Sequence, residues 1–377
     1  MSFSDLFRNY ERADIARRLA ACRAADVERA LAAEHLSEAD FLALLSPAAG
    51  TCLEELAQRS HRLTRQRFGN TIQLYAPLYI SNECGNGCRY CGFNAANRIA
   101  RRTLSLDEVE NEARILHQRG FRHLLLLTGE AAGAVDNDLL AAAVRRVRPW
   151  FSSIGLEVYP MDEAGYRQLA AAGVDSLTVY QETYDRALYD DLHPFGPKKD
   201  FDWRLGTPDR AGAAGLRSIG IGALLGLSDW RVEGFFVGLH ARHLARTWWR
   251  SRVNVSFPRL RPADGGFAPL APVSDAALVQ LLCALRLLLP DSGLTLSTRE
   301  SARLRDHLLP LGITQLSAGS CTAPGGYGHA CEGGAQFAID DDRDADQICA
   351  MLQAQGYDPV WKDWDRAFLS EESRLAS

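Results

Sequence analysis

Asn82-Glu83-Cys84-Gly85-Asn86-Gly87-Cys88-Arg89-Tyr90-Cys91-Gly92-Phe93 sets three cysteines at i, i+4 and i+7 among glycines, directly after a β-type run near 76–81. Three thiolates at that spacing can wrap one cubane, and soft thiolates suit iron–sulfur clusters and zinc. A structural zinc normally takes four protein ligands, often as two Cys-x-x-Cys pairs. No second pair exists in the sequence. Cys84, Cys88 and Cys91 on a [4Fe–4S] cluster leave its fourth iron open, and an open iron can chelate an external ligand.

Outward from this loop, short β-type runs alternate with helical stretches. The runs that read as strands lie near 76–81, 123–128, 154–159, 175–181, 218–224, 252–257, 294–298 and 313–318. Ser105-Leu106-Asp107-Glu108 is a capping box, followed by Leu106, Val109, Ala113 and Leu116 on one helical face and by Gly120 as the stop. Further helices are expected at 162–172, 204–215, 232–246, 274–289 and 300–309. Eight strands with helices between them predict an α/β fold, a parallel (β/α)8 TIM-type barrel; an open doubly wound sheet is the competing architecture. Residues 1–70 are rich in Ala, Leu, Arg and Glu, and Ser37-Glu38-Ala39-Asp40 opens a helix there. The expected organisation is an N-terminal helical extension over 1–70, the barrel over 71–320 and a short C-terminal extension over 321–377. In such barrels chemistry sits at the C-terminal ends of strands, so a polar residue just after a strand outranks one on a helix.

Bulk properties narrow the class. The chain has 377 residues, is 47% apolar and carries a net charge of −5. That charge argues against a nucleic-acid binder held by phosphate contacts. No apolar run approaches the ~18 residues of a membrane span, and the N-terminus lacks the apolar core of a secretory signal, so a cytoplasmic protein is expected. Nine cysteines, an odd number, do not suggest a disulfide framework. Cys22, Cys52, Cys283, Cys321, Cys331 and Cys349 are scattered and read as small buried or surface residues.

The Cys-x-x-x-Cys-x-x-Cys loop, with aromatic Tyr90 before its last cysteine, resembles the radical S-adenosylmethionine (SAM) superfamily. The resemblance implies that the open iron binds the amino and carboxylate groups of SAM and that one electron from the cluster breaks the sulfonium C–S bond. Thr128-Gly129-Glu130, at the end of the second strand, resembles the family's Gly-Gly-Glu contact to the SAM amino group, with Thr128 replacing the first glycine. Gln181-Glu182-Thr183, then His193-Pro194 and Arg204, resemble the pattern of the biotin-synthase-like branch. There Glu182 would hold the ribose hydroxyls and Arg204 the SAM carboxylate. Gly220 to Leu227 offers a small, flat surface for adenine, and Tyr90 and Leu227 are both expected among the cofactor-binding residues.

The last two strands resemble the aromatic amino acid lyases of the superfamily. Leu294-Thr295-Leu296-Ser297-Thr298-Arg299-Glu300 ends the seventh, and Leu316-Ser317-Ala318-Gly319-Ser320 ends the eighth. By residue correspondence Arg299 and Ser317 hold the substrate carboxylate and Tyr79 lines the pocket; Ser320 is the alternative to Ser317. The likeness is strongest to the tyrosine lyases that feed thiazole assembly for thiamine. It implies cleavage of the Cα–Cβ bond of L-tyrosine to 2-iminoacetate and p-cresol. It also implies SAM consumed to 5′-deoxyadenosine and methionine, thiazole synthase as partner and a reduced flavodoxin- or ferredoxin-type electron donor. A tryptophan lyase is the nearest enzymatic rival. The hydrogenase-maturation type carries further clustered cysteines, whereas Cys321, Cys331 and Cys349 form no Cys-x-x-Cys pair. An iron–sulfur carrier is the non-enzyme alternative, and it leaves the strand-end residues at 128–130, 181–183 and 297–300 without a purpose.

Overall fold

The computed structural model describes residues 2–328 and 334–362; Cys331 lies outside them. Eight parallel strands close into a barrel: β1 (Thr71–Ser81), β2 (His123–Thr128), β3 (Ser153–Glu157), β4 (Ser176–Glu182), β5 (Ser218–Ala223), β6 (Arg252–Ser256), β7 (Gly293–Leu296) and β8 (Gln315–Ser317). Each pairs with the next, and β1 pairs with both β2 and β8, so the sheet closes and the open architecture is excluded.

β1 begins five residues earlier than its apolar run suggests, at Thr71 rather than 76. Its lower end is held by a ninth strand, β9 (Asp358–Val360), which pairs in parallel with Thr71–Gln73 outside the barrel. Nothing in the short Asp-Pro-Val segment announces a strand by itself. β1 therefore pairs in sections, with β9 below, β8 through Gln73–Tyr75 and β2 from Ala76 upward.

The helix after β1 spans Leu106–Gln118, with the Ser105/Glu108 box formed as read. Gly120 and Gly173 follow their helices at φ +95° and +127°, a region where a Cβ is disfavoured. Several helical readings need correction, and the helices Arg186–Leu192 and Ala345–Ala354 were not among those expected. Asn137–Val147 forms a helix capped by Asp136 that the sequence reading omitted. The helix expected over 204–215 is two short ones, Phe201–Leu205 and Thr207–Ala213, parted at Gly206 with Pro208 opening the second.

The first seventy residues form the expected helices, and they pack on the barrel's outer layer. Phe41 stacks on Phe235 of the helix Trp230–Thr247. Gln280, from Asp275–Leu288, donates to the carbonyls of Leu44 and Ser46. Among the described residues no helix is long and apolar enough to cross a membrane.

Candidate active site

The loop after β1 is built to hold its cysteines against the end of β2. Asn82 donates to the Ala100 carbonyl and accepts from the Arg102 amide at 2.7 Å, while Arg101 gathers the carbonyls of Asn82, Phe93 and Asn94, so the loop's two ends are tied together. The Gly85 amide donates to the Glu130 carbonyl and the Gly129 amide to the Ser81 carbonyl. Contact there is so close that a Cβ on Gly129 would stand 2.1 Å from the Glu83 carbonyl oxygen. At Gly87 the neighbour is a side chain, the half-exposed ring of Phe195, 2.4 Å from where a Cβ would be, so a larger residue there would displace the ring.

Cys84, Cys88 and Cys91 all line one cavity at the barrel mouth, with Thr128, Gly129, Glu130, Glu182 and Arg204 around them. Burial pushes the Cys91 thiol up to about 11 and Cys88 higher still, and the nearby Lys198 pulls both down. Thiolates here therefore depend on positive charge, which iron supplies. Among the described residues no three His, Cys, Asp or Glu side chains converge to share a single ion; a cube that takes one thiolate on each of three irons does not require it.

Buried ion pairs organise the part of the cavity around the cysteines. Arg204 donates from Nε to the Tyr180 carbonyl at 2.6 Å and from a terminal nitrogen to Glu130 at 2.7 Å. It is buried, not a surface helix residue. Glu182 accepts from Lys198 Nζ at 2.6 Å. Burial alone would raise the Glu182 carboxyl, but Lys198 and Arg204 hold it below its ordinary value. Its backbone is at φ +69°, the one non-glycine in that region among the described residues, at an irregularity in the β4–β5 register. Strain of this kind persists only where the surroundings fix it, and it concentrates at functional sites. The Thr128 hydroxyl is buried on the cavity wall without a hydrogen-bond partner. An orphaned acceptor beside three thiols and two carboxylates suits a ligand bearing an ammonium group, as SAM does.

Two of the adenine-side expectations separate. Tyr90 reaches the cavity, donating or accepting at His193 Nε2 over 2.7 Å. Leu227 packs in the apolar cluster with Cys88, Tyr90, Leu192 and Leu224, and it is Leu224 that lines the wall. The glycine-rich run after β5 turns at Gly226, φ +109°, between the two leucines.

A second pocket, which holds the residues expected to bind substrate, adjoins this space across Tyr79, Tyr180 and Glu157, which line both. Tyr79 donates to Gln336 Oε1 at 2.7 Å. Arg299, just past β7, lies over the face of Phe337, with its guanidinium carbon 3.3 Å from the ring centroid. Ser317 and Ser320 line the same pocket. The Ser317 hydroxyl accepts from the Thr298 amide at 3.2 Å, whereas the buried Ser320 hydroxyl has no partner. Sequence reasoning missed Glu157, Lys198, Gln336 and Phe337. Glu157 ends β3 and met the strand-end criterion. Lys198 sits in an ordinary Gly-Pro-Lys-Lys turn, and Gln336 and Phe337 belong to no strand, so nothing local marked them.

The radical SAM superfamily model matches residues 78–236, and the biotin and thiamin synthesis associated domain model matches 256–358. The 2-iminoacetate synthase of Escherichia coli (strain K12) is 50% identical over 375 residues, covering 99% of this chain and 100% of that protein. The 2-iminoacetate synthase of Salmonella typhimurium (strain LT2) is 49% identical over 365 residues, covering 97% of each. The chain belongs to the 2-iminoacetate synthase family of radical SAM enzymes. Among solved structures, the FeFe-hydrogenase maturase HydG from Carboxydothermus hydrogenoformans is similar at a TM-score of 0.83 and 31% identity, covering 95% of this chain and 81% of that one. For a member of the 2-iminoacetate synthase family, a [4Fe–4S] cluster and SAM are the implied cofactors, and the three-cysteine cavity with its orphaned hydroxyl fits them.

Proposed function

We propose that the enzyme cleaves the Cα–Cβ bond of L-tyrosine to 2-iminoacetate and p-cresol, with Cys84, Cys88 and Cys91 holding the cluster. The bound cofactors supply the 5′-deoxyadenosyl radical that removes a hydrogen atom from the substrate, as cofactors carry the hard chemistry in such sites. The chain's own residues bind, orient and shield. Thr128, Gly129 and Glu130 are suited to the SAM amino group, Glu182 to the ribose, and Tyr90 with Leu224 to the adenine side. Arg204 is committed to Glu130, so its service to a SAM carboxylate is shared with that pair. The free imine hydrolyses readily in water, which supports delivery to a thiazole synthase and a place in thiamine biosynthesis. A reduced flavodoxin- or ferredoxin-type protein would provide the electron.

The observation that carries the substrate assignment is Arg299. It faces the pocket, stacked on Phe337, and among the described residues no carboxylate answers it. A planar guanidinium held this way can take an amino acid carboxylate in two parallel bonds, with Ser317 or Ser320 beside it, and lysine cannot reproduce that fork. Arg299→Lys is therefore expected to keep the cluster and bind SAM but lose p-cresol formation, read by anaerobic chromatography. Slow 5′-deoxyadenosine release without p-cresol fits, because small misplacement is costly in rate. Normal p-cresol output from Arg299→Lys would remove the assigned role. A wild-type enzyme that cleaves tryptophan and ignores tyrosine would make it a different member of the lyase group.

A further inference from the structure

Glu157 ends β3 where the cofactor and substrate halves of the cavity meet, and the chemistry above leaves it idle. Its wall is shared with Glu182 and Lys198 on one side and Arg299 and Tyr180 on the other. The other two carboxylates at the mouth are answered within the chain, Glu130 by Arg204 at 2.7 Å and Glu182 by Lys198 at 2.6 Å. Glu157 is not. Among the described residues no Lys, Arg or His nitrogen stands within 4.0 Å of its carboxylate, and nothing hydrogen-bonds it. Arg299 is its counterpart, a cation on the same wall without a carboxylate at that distance.

Opposite charges that share a buried space normally close on each other, since an unpaired buried charge is costly. Here a gap is kept between one free carboxylate and one free guanidinium. An α-amino acid head group, with carboxylate and ammonium on the same carbon, satisfies both at once. We infer that Glu157 receives the ammonium group of the bound amino acid and accepts one of its protons. The inference rests on the reading of the substrate as tyrosine, bound through Arg299.

The step is a simple proton transfer. One N–H bond of the ammonium breaks, the proton goes to a Glu157 carboxylate oxygen, and the electron pair stays on nitrogen as a neutral amine. No electron changes hands. Burial pushes the Glu157 carboxyl up to about 7, against the pull of Arg299 and with a push from Glu182, which brings it nearer to an amine's range than an ordinary carboxyl lies. A carboxylate in that condition is a competent proton acceptor close to neutral pH.

The test compares wild-type holoenzyme with Glu157→Gln, cluster oxidised so that nothing turns over. Anaerobic binding is measured for L-tyrosine, for 3-(4-hydroxyphenyl)propionate, which lacks only the amino group, and for L-phenylalanine, which lacks only the phenol oxygen. Wild type should prefer tyrosine over the desamino analogue by roughly ten- to a hundredfold. Glu157→Gln should lose that preference while binding the desamino analogue and SAM as wild type does, which also shows that it has folded. In the reduced enzyme at saturating tyrosine, the variant should make p-cresol roughly a hundredfold more slowly or worse. Retention of the ammonium preference overturns the assignment. So does loss of the tyrosine-over-phenylalanine preference instead, which would put Glu157 on the phenol, and an unchanged rate overturns the proton transfer. A wild-type enzyme that ignores tyrosine fails the substrate reading itself, and the Glu157 assignment with it, on an arm in which the variant plays no part.

Discussion

Cys88 and Cys91 are thiols that burial pushes toward the protonated form, and with Cys84 they line one cavity at the barrel mouth. Cys84→Ala, Cys88→Ala and Cys91→Ala should each abolish the cluster's charge-transfer absorbance and all SAM cleavage. Cys321→Ala and Cys349→Ala should leave both near wild type, because neither thiol reaches the mouth; Cys321 caps its own turn at the Ala323 carbonyl and Cys349 packs on the core. An equally essential Cys321 or Cys349 in an iron assay would reveal a second metal site. At this scale the sequence was legible where chemistry repeats a spacing. The cysteines, Thr128-Gly129-Glu130, Glu182 and Arg299 all converge on the mouth. Residues chosen by shape rather than spacing were less legible: Gln336, which belongs to no strand, accepts from Tyr79 across 257 positions of chain.

Elements place these residues by contact between backbones. The loop after β1 is seated on the end of β2 through glycines, and Gly129 is the tightest point. Gly129→Ala puts a methyl into the Glu83 carbonyl, backbone that cannot swing aside. The expected outcome is a folded barrel with a displaced loop: far-ultraviolet circular dichroism near wild type, and iron content after reconstitution severely reduced. Full cluster loading of Gly129→Ala would show that the loop and strand do not need this contact. The strands themselves were readable because parallel strands buried on both faces are continuous apolar runs. What escaped were pieces whose pairing is decided elsewhere, namely the start of β1, which pairs with β9 and β8, and the three residues of β9, which pair with Thr71–Gln73. The helix Asn137–Val147 is different. Its Asp136 cap and apolar face are present in the sequence, and the reading passed over them.

The molecule as a whole ties its N-terminal helices to the catalytic rim. Arg12 pairs with buried Glu233 at 2.7 Å, and Glu233 also accepts from the Thr183 hydroxyl and the Tyr184 amide, directly after Glu182. Arg12→Ala leaves a buried carboxylate without its cation, at a cost of about 1–3 kcal/mol. Its melting temperature should fall, and SAM affinity should fall with it because the end of β4 loosens; an unchanged melting temperature would detach the extension from the site. The (β/α)8 closure, the three-cysteine cavity at its mouth and Arg299 in the adjoining pocket are all suited to the proposed reaction. The direct measurement is stoichiometry: reduced wild-type enzyme, SAM and L-tyrosine under anaerobic conditions, with p-cresol and 5′-deoxyadenosine quantified together over time. Equal amounts of the two, both dependent on tyrosine, are predicted. Tyrosine-independent 5′-deoxyadenosine with no p-cresol would contradict the account.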